Sequence, residues 1–234
     1  MSSDRAASAL KWWQDAGVDT IVGEEARDWL NPRAPAPIAP ATPAQPAAAS
    51  LPDSLDAFQA WLLESDDVPF ASPGAPRLGP SGDPASGLMI LVDMPAPEDF
   101  GAGILLSGEA GALFDRMMKA IGRSRETLYL AALSPIRTAS GSFEGPDAAR
   151  LADIARHHIA LVRPRALLLF GDACSKTLVG PAVAGTRGRW HAVETTAGPV
   201  RTLVTIRPEK LLKQPGLKKL AWEDLQRLEE EVKA

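Results

Sequence analysis

Three uninterrupted apolar runs constrain this chain more than any other feature: Leu88–Val92, residues 128–133 and Ala166–Phe170 contain almost nothing polar. A strand with one wet face alternates, whereas a short continuous apolar run is the pattern of a strand covered on both sides. A fourth run, 200–206, is rich in β-branched residues. Helical spacing fills the intervals. Leu113, Met117 and Ile121 share one side of a helix over 112–121, residues 147–162 form a helix that Pro164 ends, a short helix follows Gly171 as far as Leu178, and residues 216–232 form the closing helix. Strands that alternate with helices predict an α/β fold, a three-layer α/β/α sandwich on a four-stranded, mainly parallel sheet.

The last strand has a defined end. Pro208 cannot donate to a ladder and restricts Arg207 to extended or turn geometry. Arg207 is therefore expected at the carboxyl end of a strand, where open α/β sheets hold their ligands. Leu88–Val92 ends at Asp93 in the same sense.

Upstream, residues 8–30 carry two short helical patterns with Trp12, Trp13 and Trp29, too many aromatics for a free tail. They predict docking on the rest of the chain or on a protein partner, with direct DNA contact as the alternative. Residues 31–52 contain seven prolines among many alanines, which prevents regular hydrogen-bonded structure and reads as an extended tether. The expected organisation is thus a 1–30 helical segment, a 31–52 linker and a 53–234 domain. Ser54 is the candidate N-cap of a helix through Leu55, Phe58 and Leu62.

No apolar run reaches the ~20 residues of a membrane span, and the polar first residues do not resemble a secretion signal, so a soluble, cytoplasmic protein is expected. The single Cys174 excludes an intramolecular disulfide and cannot alone build a thiolate metal site. His157, His158 and His191 show no ligand spacing, so neither metal nor cofactor is expected. Residues 1–87 carry 5 basic and 12 acidic side chains, whereas 88–234 carry 20 and 17. Within 187–219 eight basic residues face only Glu194 and Glu209. Local potential of this kind suits a polyanion such as a phosphate backbone, and equally a solvated basic face.

The stretch from Arg207 to Leu225 resembles the closing motif of uracil-DNA glycosylases, His-Pro-Ser-x-Leu-Leu-Arg-x-Pro-x-x-Lys followed by Trp-x-Asp-Leu. Pro208, Leu211, Leu212, Pro215, Lys218, Trp222, Asp224 and Leu225 match in spacing, with Arg207 in place of the histidine and Glu209 in place of the serine. Asp93-Met94-Pro95-Ala96 falls at the Gly-Glu-Ala-Pro-Gly motif, and Glu98-Asp99 matches its Glu-Asp. Residues 105–113 resemble Pro-Phe-Val-Gly-x-Ala-Gly-x-Leu, residues 128–132 resemble Val-Tyr-Ile-Thr-Asn, and 187–190 resemble Arg-Gly-x-Trp. The resemblance covers roughly 83–228 and is greatest to the iron-sulfur branch, although Val68, Ile136 and Leu151 stand where three cluster cysteines are expected.

The resemblance implies a base-excision DNA-repair hydrolase that flips a nucleotide, stacks and reads its base, and stabilises the departing anion. Asp93 falls at the water-positioning carboxylate, Arg207 at the base-stabilising histidine, Leu106 at the stacking phenylalanine and Ala132 at the reading asparagine. Pro95, Glu98 and Asp99 complete the implied base pocket. Arg187, Arg189, Lys210 and Lys213 are the implied DNA contacts. With the stacking ring and reading amide gone, the chain reads as a divergent DNA-binding repair protein with weak or absent uracil excision. The alternative is an active glycosylase of altered base specificity that uses Asp93 and Arg207.

Overall fold

The computed structural model describes Trp12 and residues 50–233, and the chain divides into two units, 1–47 and 48–234. In the first unit Trp12 is helical and exposed. Trp13, Trp29, the remainder of the expected 1–30 segment and residues 31–49 of the expected linker lie outside the described residues.

In the second unit the first helix is α1 (Leu55–Glu64), and the Ser54 side chain accepts from the Ala57 N–H at 3.4 Å, as its N-cap position predicts. Next come β1 (Ser81–Gly82), β2 (Leu88–Val92), α2 (Pro97–Ala102), α3 (Gly108–Ala120), β3 (Tyr129–Ala132) and α4 (Gly145–Val162). The order continues with β4 (Ala166–Phe170), α5 (Asp172–Leu178), α6 (Val183–Thr186), β5 (Trp190–Thr195), β6 (Gly198–Thr205), α7 (Pro208–Lys213) and α8 (Lys218–Lys233).

The sheet has six strands in the order β1-β3-β2-β4-β6-β5, not four. The four expected strands form its parallel centre, and the two additional ones are antiparallel edges. Both edges lack the signal that betrays a strand in sequence. β1 is two exposed polar residues paired with Tyr129 and Leu130. β5 buries only Val193, and its hairpin to β6 turns through Thr196-Ala197 without the Asn-Gly or Asp-Gly that marks such turns. α2 and α7 each begin with a proline, which ends a strand but is also pre-set for the first helical turn.

Alternate residues of the central strands feed two cores. Met89, Leu91, Tyr129, Ala131, Leu167 and Leu169 join Leu151, Ala155 and Ile159 of α4 and Cys174 and Leu178 of α5. Leu88, Ile90, Leu130, Leu168 and Phe170 join Phe114 and Met118 of α3 and Leu225 and Leu228 of α8. Both sheet faces are therefore covered, the condition that the apolar runs imposed. Phe58 and Leu62 lay α1 against Ile154 on α4.

Candidate functional site at the carboxyl ends of the strands

Because β2, β4 and β6 run in parallel register, with Val92 opposite Phe170 and Phe170 opposite Thr205, the residues that follow them gather at one edge. These are Asp93, Gly171 and Arg207. The Asp93 carboxylate is buried; its Oδ1 accepts the Cys174 backbone N–H at 2.7 Å, and its Oδ2 lies 3.7 Å from Arg207 Nη1. Arg207 itself is half exposed. Burial pushes the Asp93 carboxyl above its ordinary range, opposed by the Cys174 hydrogen bonds and the Arg207 charge. Gly171 makes this packing possible. Its φ of +113° lies outside what side chains favour, and a Cβ there would overlap the Asp93 carboxylate. Cys174 is fully buried, and burial followed by the Asp93 charge raises its thiol well above the usual value, so it stays protonated and serves as packing.

Open space lies on both sides of Arg207. One cavity of about 480 Å³ is lined by Asp93, Phe143, Gly171, Lys176, Arg207 and Lys210 among others. The other, about 610 Å³, is lined by Met94, Glu98, Arg137, Arg207, Glu209 and Lys213 among others. Glu209 Oε2 is buried without a hydrogen-bond partner. Burial raises this carboxyl, and the Asp99 and Asp93 charges add to the effect of burial while Arg207 opposes it.

The expected site residues divide into three groups. Asp93 and Arg207 meet, and Glu98, Lys210 and Lys213 line the adjoining cavities. Leu106 and Ala132 line neither cavity. Leu106 is buried at φ +51°, with its carbonyl accepting from Arg125 Nη2 at 2.6 Å, and Ala132 packs against the Leu130–Leu168 core. Asp99 is buried and accepts three backbone N–H groups, from Ala96 at 2.9 Å, Leu106 at 3.2 Å and Ser107 at 2.7 Å. It staples the loop that carries the site. Pro95 is buried, and its carbonyl accepts from Arg137 at 3.0 Å.

Of the implied DNA contacts, Arg187 turns inward. Its guanidinium makes a two-pronged pair with buried Asp224 at 2.9 and 3.1 Å and donates to the Leu220 carbonyl. Thr205 adds a 2.8 Å bond to the same carboxylate, so Asp224 ties β6, α8 and the 187 turn together. Arg189 is exposed and donates to the Gly185 carbonyl at 2.8 Å.

Sequence reasoning passed over Gly171, Lys176 and Arg137. For Gly171 a signal existed: a glycine directly after a fully buried strand marks a close approach. Lys176 and Arg137 reach the cavities from separate elements, and no local pattern joins them to Arg207.

Val68, Ile136 and Leu151 are all buried and apolar, and none can ligate iron, so the residues present do not fit a four-thiolate cluster. The histidines have structural partners: His157 the Pro52 carbonyl, His158 the Tyr129 hydroxyl and His191 the Thr186 carbonyl.

The family model of the uracil DNA glycosylase superfamily matches residues 80–226, a span that holds every strand among the described residues, the Asp93–Arg207 edge and Asp224. With that match over more than half of its length, laid on an α/β sheet whose ligand edge carries the motif positions, the chain belongs to the uracil DNA glycosylase superfamily.

Proposed function

We propose that this protein is a divergent, DNA-binding member of the superfamily that acts in DNA repair in the cytoplasm with weak or no uracil excision. The observation that carries the reading is the pairing of Asp93 with Arg207 at the strand ends. A carboxylate that orients water must be ionised and approachable. Here burial holds the carboxyl above its ordinary range, Oδ1 is taken by the Cys174 N–H, and Oδ2 faces the Arg207 guanidinium at 3.7 Å. An arginine at this position carries permanent charge and cannot give up a proton at neutral pH. Leu106 and Ala132 offer no aromatic face and no amide, so nothing at those positions stacks on uracil or reads its edge. A missing polar reader is what costs an enzyme most of its discrimination.

Lys210 and Lys213 on the exposed side of α7, together with Arg207, supply the positive surface for a phosphate backbone. The test is abasic-site formation on single-stranded and duplex oligonucleotides that contain uracil, hypoxanthine, xanthine or a mismatch, run beside a binding assay. Salt-sensitive binding with no uracil excision supports the reading. Robust single-turnover excision of uracil that disappears in Asp93→Ala overturns it.

One observation favours a second reading, an active glycosylase of altered specificity. Arg207 stands beside a cavity large enough for a base, and a fixed cation can stabilise a departing base anion without proton transfer. Excision of a base other than uracil in the same panel, lost in Arg207→Gln, would select it.

A further inference from the structure

The cavities beside Arg207 share a wall: Arg207 and Gly141 line both. Lys210 lines the smaller and Lys213 the larger, so three cations spaced three residues apart border the two cavities, with Arg207 common to both. Lys210 and Lys213, an i,i+3 pair on α7, lie on one side of the helix. Each cavity also carries carboxylates, Asp93, Glu144 and Asp172 in the smaller and Glu98, Glu109 and Glu209 in the larger. Carboxylates accept base amino groups and repel phosphate. A nucleic acid strand at this edge is therefore sorted by charge, its phosphates along the cation row and its bases in the cavities. Both volumes fall in the range of roughly 300–1,000 Å³ typical of small-ligand sites. Phe143 gives the smaller cavity an aromatic wall, backed by Phe70 with ring centroids 5.6 Å apart.

We propose that the two cavities form a two-nucleotide site for single-stranded DNA, in which consecutive bases enter on either side of Arg207 and the phosphate between them rests on its guanidinium. The inference rests on the DNA-binding reading above and adds to it a strand preference and a footprint. Stacked neighbours in a duplex have no room for a guanidinium between them, whereas a single strand splays its bases apart readily. An enzyme that flips one base from a duplex fills only one cavity.

The test is titration of the full chain with deoxycytidine monophosphate, the deoxycytidine dinucleotide and trinucleotide, a single-stranded 12-mer and its duplex, at two salt concentrations. Binding of the dinucleotide about tenfold tighter than the mononucleotide, little gain from the third unit, and about tenfold preference for the single strand are expected. Lys213→Glu, an exposed change, should remove the gain from the second nucleotide. A duplex bound as tightly as the single strand, or a dinucleotide no tighter than the mononucleotide, overturns the two-nucleotide site while DNA binding stands. Absence of salt-sensitive binding to either form overturns the DNA-binding reading and this inference with it.

Discussion

His158 makes the fold acid-sensitive by an amount that can be worked out from its surroundings. The ring lies on α4 in full burial, and its Nε2 is 2.9 Å from the Tyr129 hydroxyl. That hydroxyl accepts from Gln59 Nε2 at 2.8 Å, so its own proton is directed at the histidine and the ring keeps its proton on Nδ1. Burial, with the Tyr129–Gln59 bond opposing, pushes the phenol up to about 12, so it remains a donor. Burial also lowers the His158 pKa to about 3, with the neighbouring His157 adding to the effect. The folded ring thus stays neutral where the unfolded one, near 6.5, takes up a proton. Between those values the unfolded state binds more protons, and stability is lost as pH falls. At pH 5 the loss from this one group is about 2 kcal/mol, roughly a thirtyfold shift toward the unfolded chain. The buried carboxyls of Asp93, Glu209 and Asp224 are raised and give the opposite slope, so the measurement must be a difference.

His158→Gln supplies it, because a glutamine amide oxygen can take the Tyr129 O–H bond without titrating. Urea unfolding of both proteins from pH 7.5 to 4.5 should show the parent losing about 2 kcal/mol relative to the variant by pH 5. Parallel stability curves across that range would refute the argument, since they would mean that the ring gains its proton equally in both states.

Gly171→Ala should cost about 1–3 kcal/mol by forcing a side chain into positive φ against Asp93, and it should also move the carboxylate; thermal melts and a crystal structure of the variant check both effects. Asp224→Ala strands Arg187 and the Thr205 hydroxyl in the interior and is expected to destabilise by about 3–5 kcal/mol, read as a lowered urea midpoint with an unchanged slope. Lys210→Glu with Lys213→Glu should weaken binding to all DNA sequences alike and flatten the salt dependence by about two units of slope, and unchanged affinity would move the DNA face elsewhere.

The central sheet was legible because its strands are buried on both faces: once Leu88–Val92 and Ala166–Phe170 read as continuous apolar runs, a parallel sheet between two helix layers follows. The edges were not, since Ser81–Gly82 and Trp190–Thr195 are held mainly by backbone pairing, which leaves no pattern in side-chain type. Pro208 was read only as a strand terminator for a related reason, one residue type serving both to end a strand and to start a helix. At the site, Asp93 and Arg207 were legible from their places at strand ends. The inward turn of Arg187 was not, because the carboxylate that captures it lies 37 residues away in sequence. Nor did sequence show that Asp99 would be consumed by three backbone donors.

What the arginine does at the end of β6 follows from its pairing. A histidine at such a position can be charged or neutral near pH 7, and can give and take a proton during a reaction. A guanidinium has one state, so its only contribution is a fixed charge whose effect depends on what it faces. At rest it faces Asp93 at 3.7 Å, outside hydrogen-bond range and half in solvent, a loose pair worth little in stability. Across the shared wall Glu209 Oε2 lacks any hydrogen bond. Arg207 is thus weakly committed between two carboxylates, and a phosphate or a base anion, either of which can accept two of its N–H groups at once, competes well against the resting contact. Arg207 is for that reason better suited to holding an anion than to moving a proton.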